Sequence, residues 1–146
     1  MVQQRARAVD TSPDPGVAPS SVLACHIPAT PAVLPGLRHT VLALAEQFTT
    51  DTEILGDISR AVTEALANVV VHAYEPGVDG LVHVVADAED DAVEVLISDD
   101  GLGFRAGESP GTGLGLALIA ASSARFEINR RDPAGTEIWL RFELDR

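Results

Sequence analysis

The sequence predicts an α+β fold, a two-layer sandwich with three main helices on one face of a mixed, mostly antiparallel sheet. Three observations predict it. Apolar residues recur at helical spacing through the first half, β-branched stretches come in pairs in the second half, and a glycine-rich segment from Asp99 to Gly115 separates those pairs. Two helices, a hairpin, a helix and a hairpin stack most simply as helices on one face of a sheet.

The elements follow in order. Residues 1–20 carry Pro13, Pro15 and Pro19 among scattered Ser, Thr and Asp without periodicity, and read as a disordered tail. Residues 21–146 are left as one domain. Ser21–Ile27 reads as a short edge strand ended by Pro28. From Pro31 to Thr49, Val33, Leu34, Leu37, Val41, Leu44, Ala45 and Phe48 trace one helical face, although Pro35 and Gly36 argue against helix in its first turns. Asp51 or Thr52 opens a second helix that runs to Tyr74, where the Glu75–Gly80 stretch stops it. Leu81–Asp87 and Ala92–Ser98 form a hairpin about an acidic turn. Leu114–Ser123 is apolar and alanine-rich enough for the third helix. Arg125–Arg130 and Thr136–Leu144 alternate about the turn RDPAG and make the second hairpin.

Composition narrows the function. With 46% hydrophobic and 22% charged residues among 146, the chain can bury a core. No apolar run reaches the roughly 18 residues of a membrane span, and the first residues lack the apolar stretch of a signal peptide, so a cytoplasmic location is the default. Cys25 is the single cysteine, which excludes an internal disulfide framework and a multi-cysteine zinc site. Twenty-two acids against ten bases give a net charge of −12, a poor match to nucleic-acid phosphates. All ten bases are arginine. Without lysine there is no P-loop, no Schiff-base chemistry and no protein-kinase signature lysine. The arginine bias with abundant Ala, Val and Asp is that of a GC-rich bacterial genome.

Two places carry candidate chemistry. On the second helix Glu64, Asn68 and His72 stand at i, i+4 and i+8, on one line. That line reads either as a solvated polar stripe or as a set of ligands; Asn inside a helix argues for the second, because its amide competes with the backbone. In the glycine segment, SDDGLGF sets Asp99, Gly101 and Gly103 directly after an apolar strand, and GTGLGL sets Gly111, Gly113 and Gly115 at a helix start. Glycines let backbone approach a polyphosphate, and a helix N-terminus offers free N–H groups and a favourable dipole. An acid at a strand end can accept a hydrogen bond from the amine of adenine. A Rossmann reading fails, because no βαβ unit with a ribose-binding acid follows. His26, His39 and His83 lack metal-like spacing, Cys25 reads as a small buried side chain, and Asp87, Glu89, Asp90 and Asp91 read as a solvated turn.

The ordered combination of E-x-x-x-N on a helix, D-x-G-x-G after a strand, G-x-G-L-G-L before a helix and a late Gly-Thr before a strand resembles the GHKL ATPase superfamily with its Bergerat ATP-binding fold. Asp57–Tyr74, DISRAVTEALANVVVHAY, is most similar to anti-sigma factor serine/threonine kinases of the RsbW/SpoIIAB type, and the helix around Arg38 resembles their first helix. The resemblance covers about Ser21 to Leu144.

The resemblance implies a set of roles. Asn68 matches the asparagine that binds Mg²⁺, and Glu64 the glutamate that acts as general base toward a substrate serine. Asp99 matches the adenine-reading aspartate, with Gly101 and Gly103 in its motif. Gly111, Thr112, Gly113, Leu114 and Gly115 match the lid and helix start that hold the phosphates. Thr136 matches the threonine on the adenine side. His72 falls on the family's histidine, either packing the helix or lying near the nucleotide. The implied function is an ATP-binding anti-sigma factor that sequesters a sigma factor and phosphorylates a STAS-domain anti-anti-sigma protein, with ATP and Mg as cofactors and a homodimer compatible with it. The alternative is a nucleotide-responsive binding protein of the same fold with little or no kinase activity. Two departures stand out. Only seven residues, Phe104 to Pro110, separate Gly103 from Gly111, which leaves Arg105 as the candidate cation for the γ-phosphate; and LIAASSARFEI lacks the family's acid after the third helix.

Overall fold

The computed structural model describes residues 20–75, 77–101, 119, 121–122 and 125–144. Strand β1 (Ser20–Pro28) leads through a 3₁₀ turn (Pro31–Val33) into helix α1 (Leu34–Ala45) and helix α2 (Thr52–Asn68). A five-residue π turn (Val69–Ala73) extends α2, and strands β2 (Leu81–Glu89), β3 (Ala92–Asp99), β4 (Arg125–Arg130) and β5 (Thr136–Glu143) follow. The predicted tail lies outside the described residues. So does most of the predicted third helix, of which Ile119, Ala121 and Ser122 are helical.

The sheet order is β1-β2-β3-β5-β4. A mixed sheet was expected; all four described pairings are antiparallel. The cause is topological. β3 and β4 run the same way, but β5 lies between them, so they never pair. The edge strand and both hairpins are where the sequence places them, to within a residue or two.

Local chemistry explains the helices. Leu34 and Pro35 open α1 together, because a proline in the first turn forfeits an N–H that would have had no partner. Pro35 thus starts the helix it seemed to oppose. Asp51 caps α2 by accepting from the backbone N–H groups of Glu53 (2.9 Å) and Ile54 (3.3 Å), worth about 1 kcal/mol. Both helices pack on the face of the sheet that carries Val82, Val84, Ala86, Val93, Val95, Ile97, Ile138, Leu140 and Phe142, and they contribute Val41, Ile58, Val62, Ala65 and Leu66. Each fully buried aliphatic side chain adds roughly 1.5–3 kcal/mol of transfer free energy. The opposite face bears Val85, Leu96 and Trp139 in one cross-strand row, with Trp139 donating to Glu94 and Arg141 pairing with the same carboxylate.

Candidate nucleotide site

The site grows from the C-terminal end of α2. Glu64 and Asn68 stand one turn apart and are both half-buried. Asn68 is the last α-helical residue, and beyond it Val69–Ala73 widen into a π turn. The wider turn takes His72 off the Glu64–Asn68 line, and His72 is exposed. Helix packing therefore does not account for it.

Among the described residues the Asn68 side-chain nitrogen is buried without a hydrogen-bond partner. An orphaned buried amide costs about 1–3 kcal/mol, so it points to a partner that arrives with a ligand. The two ends of the amide interchange by rotation, and an amide oxygen suits a hard cation whose other ligands are phosphate and water. As placed, the orphaned N–H suits an acceptor such as a phosphate oxygen; turned over, the amide oxygen would fit Mg²⁺. Among the described residues no group of three or more His, Cys, Asp or Glu could hold a metal.

Asp99 ends β3 and is 3% exposed. Its carboxylate accepts from the Gly101 backbone N–H at 2.9 Å and is hydrogen-bonded by the backbone of Thr136, its cross-strand partner. Burial pushes the Asp99 carboxyl above the usual carboxylate range; the two backbone hydrogen bonds pull it down, neighbouring Asp100 pushes it up and Arg131 pulls it down. Backbone crowds this acid from two sides. A Cβ at Gly101 would fall 1.9 Å from the Ala73 carbonyl oxygen, and one at Gly135 would fall 2.0 Å from the Asp99 carbonyl oxygen. Gly135 also has φ +108°, which L side chains rarely adopt. The glycine after Asp99 thus wedges β3 against the π turn, and the glycine before Thr136 lets the β4–β5 turn close on it. A buried acceptor beside a buried threonine can read an amine on a planar base.

The second acid of the motif does a different job. Asp100 is exposed, but Arg131 Nη1 donates to its Oδ1 at 3.0 Å and to the Asp99 carbonyl at 3.1 Å. His83 Nε2 lies 2.6 Å from Asp100 Oδ2, and this hydrogen bond is the main reason the Asp100 carboxyl sits below its usual range. His83 Nδ1 in turn lies 2.5 Å from Nδ1 of His26, its cross-strand partner. With the Nε2 proton of His83 turned to the carboxylate, Nδ1 accepts from His26. Sequence spacing missed His26, His83, Asp100 and Arg131, because β1–β2 pairing joins positions that no local pattern relates. Cys25, on the helix side of β1, is half-buried, and burial pushes its thiol up, away from reactivity.

The structure brings together Glu64 and Asn68 on one helix end, and Asp99, Gly101 and Thr136 on the strand ends beside that end. Gly103, Arg105, Gly111, Thr112, Gly113, Leu114 and Gly115 lie outside the described residues. A cleft of about 570 Å³ beside the Asp99 turn is lined by Ala73, Tyr74, Leu81 and Gly101, among others, but not by Asp99, Asn68 or Glu64.

Known proteins resemble parts of this chain. The chain is 36% identical over 67 residues to the anti-sigma F factor of Clostridium beijerinckii, covering 46% of the chain and 47% of that protein. It is 37% identical over 68 residues to the anti-sigma F factor of Priestia megaterium, covering 46% of each. The match thus spans less than half the length of these relatives. The crystal structure of the RsbU and RsbW domains of Rv1364c from Mycobacterium tuberculosis superposes with a TM-score of 0.66 at 24% identity, covering 88% of this chain and 33% of that one, which is a likeness of fold. The family model of the histidine kinase-like ATPase domain matches residues 27–142, a span that holds Glu64, Asn68, Asp99 and Thr136. The chain belongs to the histidine kinase-like ATPase domain family.

Proposed function

We propose that this chain binds ATP with Mg²⁺ and acts as an anti-sigma factor and serine/threonine kinase, sequestering a sigma factor and phosphorylating a STAS-domain partner that would otherwise displace it. The observation that carries the nucleotide reading is the buried Asp99 carboxylate, wedged by Gly101 and Gly135 beside Thr136, one helix end away from the orphaned Asn68 amide. The relatives described as anti-sigma F factors support the regulatory reading. A cytoplasmic site of action and a homodimer belong to the same reading.

The chemistry assigned to these residues is simple. Asp99 accepts the adenine amine, which fixes the base and so the line of the phosphates. Asn68 would hold Mg²⁺, which when bound would neutralise charge on the phosphate oxygens. Glu64 takes the proton of a serine hydroxyl as its oxygen forms a bond to the γ-phosphorus and the bond from that phosphorus to the β,γ-bridging oxygen breaks, releasing ADP. Glu64 and Asn68 stand one turn apart on the same helix, so one element would carry both the base and the metal ligand.

Labelled ATP, the purified protein and a cognate STAS protein test this directly. Glu64→Gln is expected to leave nucleotide affinity nearly intact and to slow transfer about 10²–10⁴-fold, while Asn68→Ala removes the Mg²⁺ dependence of ATP affinity. Loss of nucleotide binding in Glu64→Gln would make the glutamate structural and end this mechanism. Tight nucleotide binding with no transfer by the wild type would select the alternative, a nucleotide-responsive binding protein, which the seven-residue spacing between Gly103 and Gly111 favours.

A further inference from the structure

Tyr74 follows the π turn in extended conformation, with φ −124° and ψ 146°. Its hydroxyl donates to the Leu81 carbonyl at 2.6 Å and accepts from the Leu81 N–H at 3.2 Å and the Asp100 N–H at 3.1 Å. One donor and two lone pairs are thereby all engaged, which leaves no capacity for a ligand.

The sheet register gives this contact its meaning. The last pair of the β2–β3 ladder is Val82 with Asp99. One step further along, Leu81 would face Asp100 and pair with it through backbone. The phenol oxygen takes that place, holding both Leu81 groups and the Asp100 N–H. It stops the ladder at Asp99 and ties the chain just beyond to the end of α2. Fit is tight at the phenol end of the ring as well, since a Cβ at Gly80 would fall 2.2 Å from Tyr74 Cζ.

We propose that Tyr74 is a positioning residue for base recognition: by replacing the next rung of the β2–β3 ladder it fixes the orientation in which Asp99 meets the adenine amine. This rests on the reading of Asp99 as the adenine acceptor. Without the hydroxyl, Leu81 and Asp100 pair directly or admit water, and either change turns the Asp99 carboxylate. Selectivity for the base should then suffer along with affinity, whereas a role in stability alone would leave selectivity untouched.

The test is calorimetry of ATP, ADP and GTP on Tyr74→Phe, below its unfolding temperature, with Asp99→Asn in parallel. Tyr74→Phe keeps the ring and is expected to weaken ATP and ADP equally, by about tenfold, the size of one net hydrogen bond. The preference for ATP over GTP should shrink by a similar factor. The acid limb of ATP affinity should move to lower pH, as water reaches Asp99. Gly80→Ala pushes the ring off its seat from outside and should reproduce the same pattern independently, including loss of hydrogen-exchange protection at the Asp100 amide. Wild-type affinity and base preference in folded Tyr74→Phe or Gly80→Ala, alongside weakened Asp99→Asn, would overturn the positioning role alone. Unchanged adenine binding in Asp99→Asn would overturn the reading of the site beneath it.

Discussion

The β2–β3–β5 ladder has acids at both ends, and the two ends behave differently. At the hairpin end Asp87, Glu89, Asp90 and Asp91 are exposed, and the chain closes with an ordinary backbone hydrogen bond from Leu144 N–H to the Asp91 carbonyl. At the other end Asp99 is 3% exposed, and Asp100 is held by Arg131 and His83. Two adjacent acids mean nothing by themselves. What separates the ends is covering: Gly101 and Gly135 let backbone close over Asp99, so the same residue type becomes a desolvated acceptor at one end and a solvated turn at the other.

The comparison breaks most sharply if the covering is pried open. Gly135→Ala sets a Cβ 2.0 Å from the Asp99 carbonyl oxygen at a φ of +108°. A backbone clash added to positive-φ strain is expected to cost about 3–5 kcal/mol in thermal or denaturant unfolding and to carry nucleotide binding with it. Asp99→Asn comes next. ATP and ADP should weaken alike by about 1.5–3 kcal/mol, the worth of a hydrogen bond to a charged group, and the wild type should bind GTP poorly.

The raised Asp99 pKa sharpens the contrast through pH. The native acid binds its proton more tightly than the unfolded one, so between the two pKa values the native state carries more protons and stability falls as pH rises. In the proposed reading of the site, base recognition needs the carboxylate. Acidification through the raised pKa should therefore lower ATP affinity while stabilising the free protein, two opposite slopes that unfolding curves and calorimetry read from one sample, and both should vanish in Asp99→Asn. The smallest effect lies at the far end, where Asp90→Asn should shift stability by no more than about 0.5 kcal/mol and leave nucleotide affinity unchanged.

What was legible in the sequence was what local pattern controls. Period-2 runs gave both hairpins, and the N-cap at Asp51 gave the start of α2. Asp99 and Thr136 were identified through a motif resemblance, and the strand ends bring them together as cross-strand partners. Pro35 misled only because a first-turn proline looks like a breaker until the helix start is known. Two things had no local signature. The π turn appears where Val69, Val70 and Val71 could equally have continued an α-helix. The clip of His26, His83, Asp100 and Arg131 depends on strand register between segments far apart in the chain. His26 and His83 looked bland because their relation is one of pairing, not spacing.

The strand order has a consequence for assembly. β2 with β3 and β4 with β5 are local hairpins, whose nearest paired residues are Ala88 with Val93 and Arg130 with Thr136. β3 meets β5 only when the hairpins dock, and that seam joins Asp99 to Thr136. Closing it brings together distant chain and carries a loop-entropy cost that the hairpins themselves escape. The proposed base site therefore does not exist in either hairpin; it is made by their docking. If the nucleotide binds across Asp99 and Thr136 as proposed, it recognises the docked state alone, so by mass action it would work as a fastener, with nucleotide concentration setting how often the seam opens.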